Sequence, residues 1–201
     1  MLDFLLQIDR ELFLFLNGLN ASWLDPVMYY ISEKFFWIPF YVVLLALCVR
    51  YYGWKALIIM VLIAVMITTT DQLTGIMKHG FERLRPSRDE SLEGLVHLVY
   101  GKRGGKYGFV SAHAANSFAL AVFIVYLLKD KLKYISAIMF TWAGLKAYSR
   151  IYLGVHYPGD VVGGIITGVV VALLIIRLWK YILRRYYPGF SSYSPGATPL
   201  E

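Results

Sequence analysis

What most restricts this chain is the gathering of its apolar residues into five long blocks, at 26–49, 54–77, 109–128, 134–148 and 158–179, with charged and aromatic residues crowded at the block ends. Blocks of this kind suit the hydrocarbon interior of a bilayer. There each backbone N–H and C=O must be satisfied within the segment, and a helix does this. The chain is 58% hydrophobic and 16% charged, with a mean hydropathy of +0.57, which is too little charge for a typical soluble domain. Its 16 Tyr and 5 Trp often sit beside basic residues, as in Arg50-Tyr51-Tyr52-Gly53-Trp54-Lys55 and Trp179-Lys180-Tyr181, the placement of an interfacial aromatic belt. The expected fold is all-α: a polytopic membrane helix bundle of about five transmembrane helices plus an N-terminal interfacial helix, or six spans in all.

Ahead of the first block, Leu5, Ile8, Leu12, Phe15 and Leu19 recur at helical spacing, with Asp3, Gln7 and Arg10 on another face. This predicts an amphipathic helix within 1–20, lying in the interface. Asn17-Gly18-Leu19-Asn20 breaks it, and Asp25-Pro26 opens the next helix. Residues 1–187 read as one membrane-embedded domain, with 79–108 as a loop on the side of the site. The Pro-, Gly- and Ser-rich stretch 188–201 reads as a flexible tail. No positive region precedes the first apolar residues, so no cleavable signal peptide is expected. The lone Cys48 lies inside an apolar block and offers neither a disulfide nor a metal site. The net charge of +7 is carried at block ends, where anionic headgroups and phosphate substrates are nearer partners than nucleic acid.

Several uncharged block cores are shorter than the roughly 20 residues of an ideal span, so polar block ends must enter the bundle. Three of these ends carry chemistry. Lys78 and Arg85-Pro86 follow the second block, Ser111-Ala112-His113 opens the third, and Ser149-Arg150 with His156 and Asp160 joins the fourth to the fifth. With five crossings all three stretches fall on one face of the membrane. The short basic loops at 50–55 and 129–133 favour the opposite face as cytoplasmic, which puts the site on the extracytoplasmic side.

The residue types suit phosphoryl transfer. Tyr157-Pro158 reads as a helix start, so Asp160 falls in the first turn, within reach of the His156 imidazole. A carboxylate on one ring nitrogen leaves the other lone pair free to attack. Arg150 can hold two phosphate oxygens with its planar fork. If the second helix continues, Lys78 and Arg85 lie about two turns apart on one face; Pro86 stops that helix and presses Arg85 toward an extended conformation. Free N–H groups at the start of the third helix, with the Ser111 hydroxyl, can hold anion oxygens, and His113 can protonate a departing oxygen. Asp71, deep in the second block, should have a partner, with Lys78 or Lys146 as candidates. His79 and His97 read as surface residues without partners. The loop at 101–108, GKRGGKYG, lacks the Ser or Thr of a P-loop and reads as flexible. Neither HExxH nor a dense carboxylate cluster is present, so no metal and no cofactor is expected.

In order along the chain, KHGFERLRP at 78–86, VSAH at 110–113 and SRIYLGVHYPGD at 149–160 resemble the type 2 phosphatidic acid phosphatase superfamily, over about Asp71 to Gly168. The resemblance implies a helical membrane bundle, here a bacterial inner-membrane protein, with an extracytoplasmic site that works without metal. It implies His156 as nucleophile forming a phosphohistidine, Asp160 orienting it, and His113 as general acid. Lys78, Arg85, Ser111, Ala112 and Arg150 would bind the phosphate. The usual Pro-Ser-Gly-His is here Val-Ser-Ala-His, so the Ala112 methyl can narrow the pocket. The implied reaction is hydrolysis of a phosphate monoester or pyrophosphate on a membrane lipid. Undecaprenyl pyrophosphate, phosphatidylglycerol phosphate, phosphatidic acid and a lipid A phosphate all stay open as substrates. A lipid phosphotransferase and a non-catalytic lipid-phosphate binding or transport protein are the alternatives.

Overall fold

The structure, a computed structural model, describes residues 2–187, so the tail expected at 188–201 lies outside the described residues. Seven α-helices and several short 3₁₀ turns make up the described fold: α1 (Leu2–Gly18), α2 (Leu24–Ser32), α3 (Ile38–Tyr52), α4 (Ala56–Phe81), α5 (Ala112–Leu128), α6 (Ile135–Tyr152) and α7 (Pro158–Tyr186). Among the described residues no strand forms, and Leu84 and Tyr107 share an isolated antiparallel bridge.

The outer surface identifies the solvent. Val42, Val43, Leu57, Val61, Ile76 and Ile166 are each more than half exposed. Such a surface is a liability in water and the normal outer face of a helix in lipid. The stretches Phe35–Phe81 and Pro158–Tyr186 are long and apolar enough to cross a bilayer. The first of them folds as a hairpin: Gly53, at φ +56, turns the chain between α3 and α4. Leu44 and Cys48 of α3 then share one core with Ile59, Leu62 and Met66 of α4.

At the centre stands α5, buried nearly all round through Ala114, Ala115, Ala119, Ala121, Phe123 and Ile124. Its small residues let α7 approach closely. A Cβ on Gly164 would run into the Ser111 carbonyl, and one on Gly168 into the Ala115 carbonyl. This small-xxx-small crossing brings the start of α5 against the start of α7, where Ser111 N–H donates to the Asp160 carbonyl at 2.9 Å. Gly168→Leu is expected to destabilise the fold by about 1–3 kcal/mol or more, because backbone cannot give way as a side chain can. A thermal scan of the purified protein in detergent checks this.

Helices α4, α6 and α7 run past their blocks to Phe81, Tyr152 and Tyr186, and two further boundaries differ from the sequence expectation. The block at 26–49 is not one span, because α2 ends at Ser32 and α3 starts at Ile38. Glu33 turns extended, and its carboxylate pairs with Lys102 of the site-side loop. Pro39 then supplies a first-turn residue that needs no N–H donor. The block at 109–128 becomes helical only at Ala112, since Ser111 is the extended N-cap.

The N-terminal helix has a second face that the apolar pattern did not reveal. Leu5, Ile8, Leu12, Phe15 and Leu19 are exposed, as a lipid-facing stripe requires. On the other side Asp9, Phe13 and Asn17, four residues apart, turn toward the bundle. Asn17 Nδ2 donates to the Ile151 and Tyr152 carbonyls at 3.1 and 2.9 Å, and the Phe13 ring meets Tyr157 edge-on at 5.3 Å.

Candidate active site

The three sequence stretches converge at one end of the bundle. Helix α7 starts at Pro158, and the turn before it carries His156, which is 1% exposed. Asp160 Oδ2 accepts the Tyr157 N–H at 3.0 Å and lies 3.3 Å from His156 Nδ1. On the far side of the ring, His156 Nε2 lies 3.3 Å from Arg85 Nη1. A guanidinium only donates, so Nε2 carries the lone pair and Nδ1 carries the proton facing Asp160. Burial, followed by the charges of Arg85, Arg150 and Lys78, holds His156 well below the usual histidine range, against a backbone hydrogen bond at Gly108 that pulls the other way. The imidazole is therefore neutral at physiological pH.

Arg85 is extended, as the following Pro86 favours. Helix α4 stops earlier than the proline alone suggests: it ends at Phe81, and Glu82 takes a left-handed conformation with φ 48. Lys78 and Arg85 therefore do not share a helix face, and the chain reversal carries Arg85 to His156 instead. Burial lowers the Arg85 pKa and Asp160 opposes that shift. Lys78, in the last turn of α4, is half-buried and makes no hydrogen bond or ion pair among the described residues.

The loop at 101–108 is a cradle rather than a loose tether. Arg85 N donates to the Lys106 carbonyl at 3.2 Å, and Arg85 Nε to the Tyr107 carbonyl at 3.1 Å. Gly108 N donates to the Arg83 carbonyl at 2.8 Å. Its glycines make room for the site. A Cβ at Gly104, which has φ +67, would lie 2.8 Å from Arg85 Nη1, and one at Gly108 would lie 2.7 Å from Asp160 Oδ2.

Arg150 ends α6 with its side chain buried. Nη1 donates to the Ser32 hydroxyl, while Nε is buried without an acceptor. Ser111 caps α5, with a long 3.5 Å contact from Ala114 N–H to its Oγ. Ala112 and His113 begin the helix and line a cavity inside the bundle. His113 has no hydrogen-bond partner among the described residues and stands within electrostatic range of His156 and Arg150.

Two functional candidates were not legible as such. Arg83 Nη1 donates to Asp160 Oδ1 at 3.0 Å, and Arg83 Nη2 to Asp9 Oδ2 at 2.7 Å. Asp9 also accepts the Gly159 N–H at 2.7 Å, so α1 holds both Arg83 and the start of α7. The Tyr157 ring lies under Arg83, 4.1 Å from Cζ. Asp160 is thus fixed from both oxygens, and a chain Asp9–Arg83–Asp160–His156 runs from the N-terminal helix to the imidazole. Asp9→Asn is expected to reduce kcat by up to about 100-fold with KM little changed, because the imidazole loses its alignment while the cations remain. Steady-state kinetics in detergent checks it.

Two expectations need correction. Asp71 does not pair with a lysine: its Oδ1 accepts from Asn116 Nδ2 at 2.8 Å, and the Thr70 hydroxyl bonds Asn116 in turn. Asp71 is exposed in the fold, and an amide on the neighbouring helix gives it a donor without a second charge. His97 is not partnerless, since its Nε2 lies 2.8 Å from Asp25 Oδ1 and its N–H donates to Asn17 Oδ1 at 2.8 Å.

A helical membrane bundle that gathers fixed cations around a buried, carboxylate-supported imidazole defines a class: membrane proteins with a cationic site at one end of the bundle, suited to an anion. The chain belongs to the PAP2 superfamily, which matches it over residues 54–184. It is 42% identical to the lipid A 4'-phosphatase of Bacteroides thetaiotaomicron over 171 residues, covering 84% of this chain and 75% of that one. It is 33% identical to the lipid A 4'-phosphatase of Porphyromonas gingivalis over 203 residues, covering 98% and 83%. The crystal structure of the transmembrane PAP2 type phosphatidylglycerolphosphate phosphatase from Bacillus subtilis superposes with a TM-score of 0.69 at 26% identity, covering 90% of this chain and 89% of that one.

Proposed function

We propose that this membrane lipid phosphatase removes a phosphate from a lipid through a covalent phosphohistidine on His156, releasing inorganic phosphate without a metal ion. The observation that carries the reading is the orientation of His156, with Nδ1 on Asp160 and Nε2 beside Arg85. A phosphate drawn to Arg85, Arg150 and Lys78 would meet the Nε2 lone pair. In the first step Nε2 bonds to phosphorus, the bond from phosphorus to the lipid oxygen breaks, and His113 protonates that oxygen. In the second, His113 takes a proton from water, which attacks phosphorus and breaks the P–N bond. Asp160 stabilises the imidazolium that forms in between.

The same residues supply the charge that a metal supplies elsewhere. Among the described residues no group of three or more His, Cys, Asp or Glu side chains is arranged to hold an ion. Activity is therefore expected to be unchanged in excess EDTA, and loss of phosphate release on chelation, restored by a divalent cation, would argue against the reading. The substrate is a phosphorylated membrane lipid, for which the lipid A 4'-phosphatase relatives make a lipid A phosphate the first to test. The basic turns opposite the site, with Arg50, Lys55, Lys129, Lys131 and Lys133, support an extracytoplasmic site in a bacterial inner membrane as part of this reading. The test is phosphate release from a panel of lipid phosphates, with water or lipid alcohols as acceptor to separate hydrolysis from transfer.

A further inference from the structure

On the bundle side of the cluster, away from the loops, a cavity of about 530 Å³ opens between α3, α4, α5 and α6. Aliphatic residues such as Leu44, Ile59 and Leu120 form much of its wall, and Ala112 and His113 stand at the end nearest the site. Lys146 lines the same cavity and is only 4% exposed. It precedes Arg150 by four residues on α6, so it lies on the same helix face about 6 Å deeper.

The Lys146 ammonium makes no hydrogen bond and no ion pair among the described residues. The rings of Trp37 and Trp142 flank it, each centroid 5.8 Å from Nζ, and Glu33, Lys34 and Arg150 stand within electrostatic range but not in hydrogen-bond contact. A largely buried ammonium without an acceptor, facing two other cations and one carboxylate at longer range, is costly, and an aliphatic side chain would fill the place at less cost. One turn deeper again, Trp142 lines the cavity and its Nε1 is buried without an acceptor. Helix α6 therefore carries donors lacking acceptors at 142, 146 and 150, one per turn. Surplus donors of this kind point to a ligand that brings oxygens.

We propose that Lys146 binds an oxygen of the substrate lipid beneath the scissile phosphate, an acyl carbonyl or a second phosphate, and so sets which lipid phosphates are turned over. The inference rests on the phosphatase reading. Arg85, Arg150 and Lys78 grip the group common to every such substrate, whereas Lys146 faces the volume left for what is attached to it. A diacyl phosphate offers ester carbonyls there, a polyprenyl diphosphate offers its inner phosphate, and a polyprenyl monophosphate offers neither.

The experiment compares wild type, Lys146→Met and Lys146→Gln in detergent micelles on phosphatidic acid, a polyprenyl diphosphate and a polyprenyl monophosphate. The readout is kcat/KM for phosphate release. The ratio for phosphatidic acid, or for the diphosphate, over the monophosphate is expected to fall about 30-fold in Lys146→Met, which removes the donor, and by less in Lys146→Gln, which keeps an uncharged donor on a shorter side chain. Whichever ratio falls identifies the oxygen. Taking ratios removes any common loss from impaired folding. Unchanged ratios in both variants would overturn the proposal and leave the phosphatase reading standing. Absence of phosphate release by the wild type from all three lipids and from a lipid A phosphate run beside them would overturn both.

Discussion

Replacing His156 with alanine is expected to cut phosphate release by about 10⁴-fold or more while the lipid phosphate still binds. The substitution removes the Nε2 lone pair and leaves Arg85, Arg150 and Lys78 in place, so the anion keeps its charged partners. A binding or transport protein would behave differently, since its performance would not depend on a nucleophile. Single turnover with radiolabelled lipid phosphate, quenched in alkali to preserve a P–N bond, separates the cases. Wild type should carry label on the protein and release it as phosphate, and the variant should do neither. Full phosphate release by the alanine variant would refute the covalent route. The pH dependence follows from the same burial. Protonation of Nε2 abolishes its lone pair, and burial with three nearby cations holds the His156 pKa well below its ordinary value. The neutral form therefore persists as pH falls through about 6.5, and the acid limb of kcat/KM assigned to this group should lie below that point.

The parts of the fold that could be read from the sequence are those the bilayer dictates. A backbone in hydrocarbon has few options, so long apolar blocks become helices, and the starts of α4 and α7 were read closely, although both helices run on past their blocks to Phe81 and Tyr186. The charged pair Glu33-Lys34 sits where the first block breaks, between α2 and α3. That break depends on Lys102, which lies 69 residues away in sequence and draws Glu33 out of the helix. The site divides in the same way. His156 and Asp160 lie within one turn, so local spacing was enough to place them together. Asp9 and Arg83 are 74 residues apart, and an acidic residue on an amphipathic helix looks like a solvated face until its partner is seen. The glycine-rich loop was misread for a related reason. Its glycines look like freedom in sequence, but in the fold they are the clearance needed beside Arg85 and Asp160.

Arg150→Lys is expected to lower kcat by about 10²- to 10³-fold although the charge is unchanged. On the proposed reading the guanidinium is divided between two tasks. Nη1 donates to the Ser32 hydroxyl and ties the side chain to α2, while Nε, buried and without an acceptor, is free for a substrate oxygen. A lysine has one nitrogen for both. If it stays with Ser32 it misses the phosphate, and if it reaches the phosphate it loses the tie that holds it in line. The loss should fall more on kcat than on KM. A point charge still attracts the ground-state dianion, whereas the fork matches oxygens whose positions are reached only as phosphorus moves toward His156. Ser32→Ala provides the internal comparison. It removes the tie and keeps the fork, so a loss of about 10-fold is expected from misalignment alone. If Arg150→Lys keeps wild-type kcat, the guanidinium serves only as a buried charge. If Ser32→Ala costs as much as Arg150→Lys, the tie to α2 rather than the fork does the aligning.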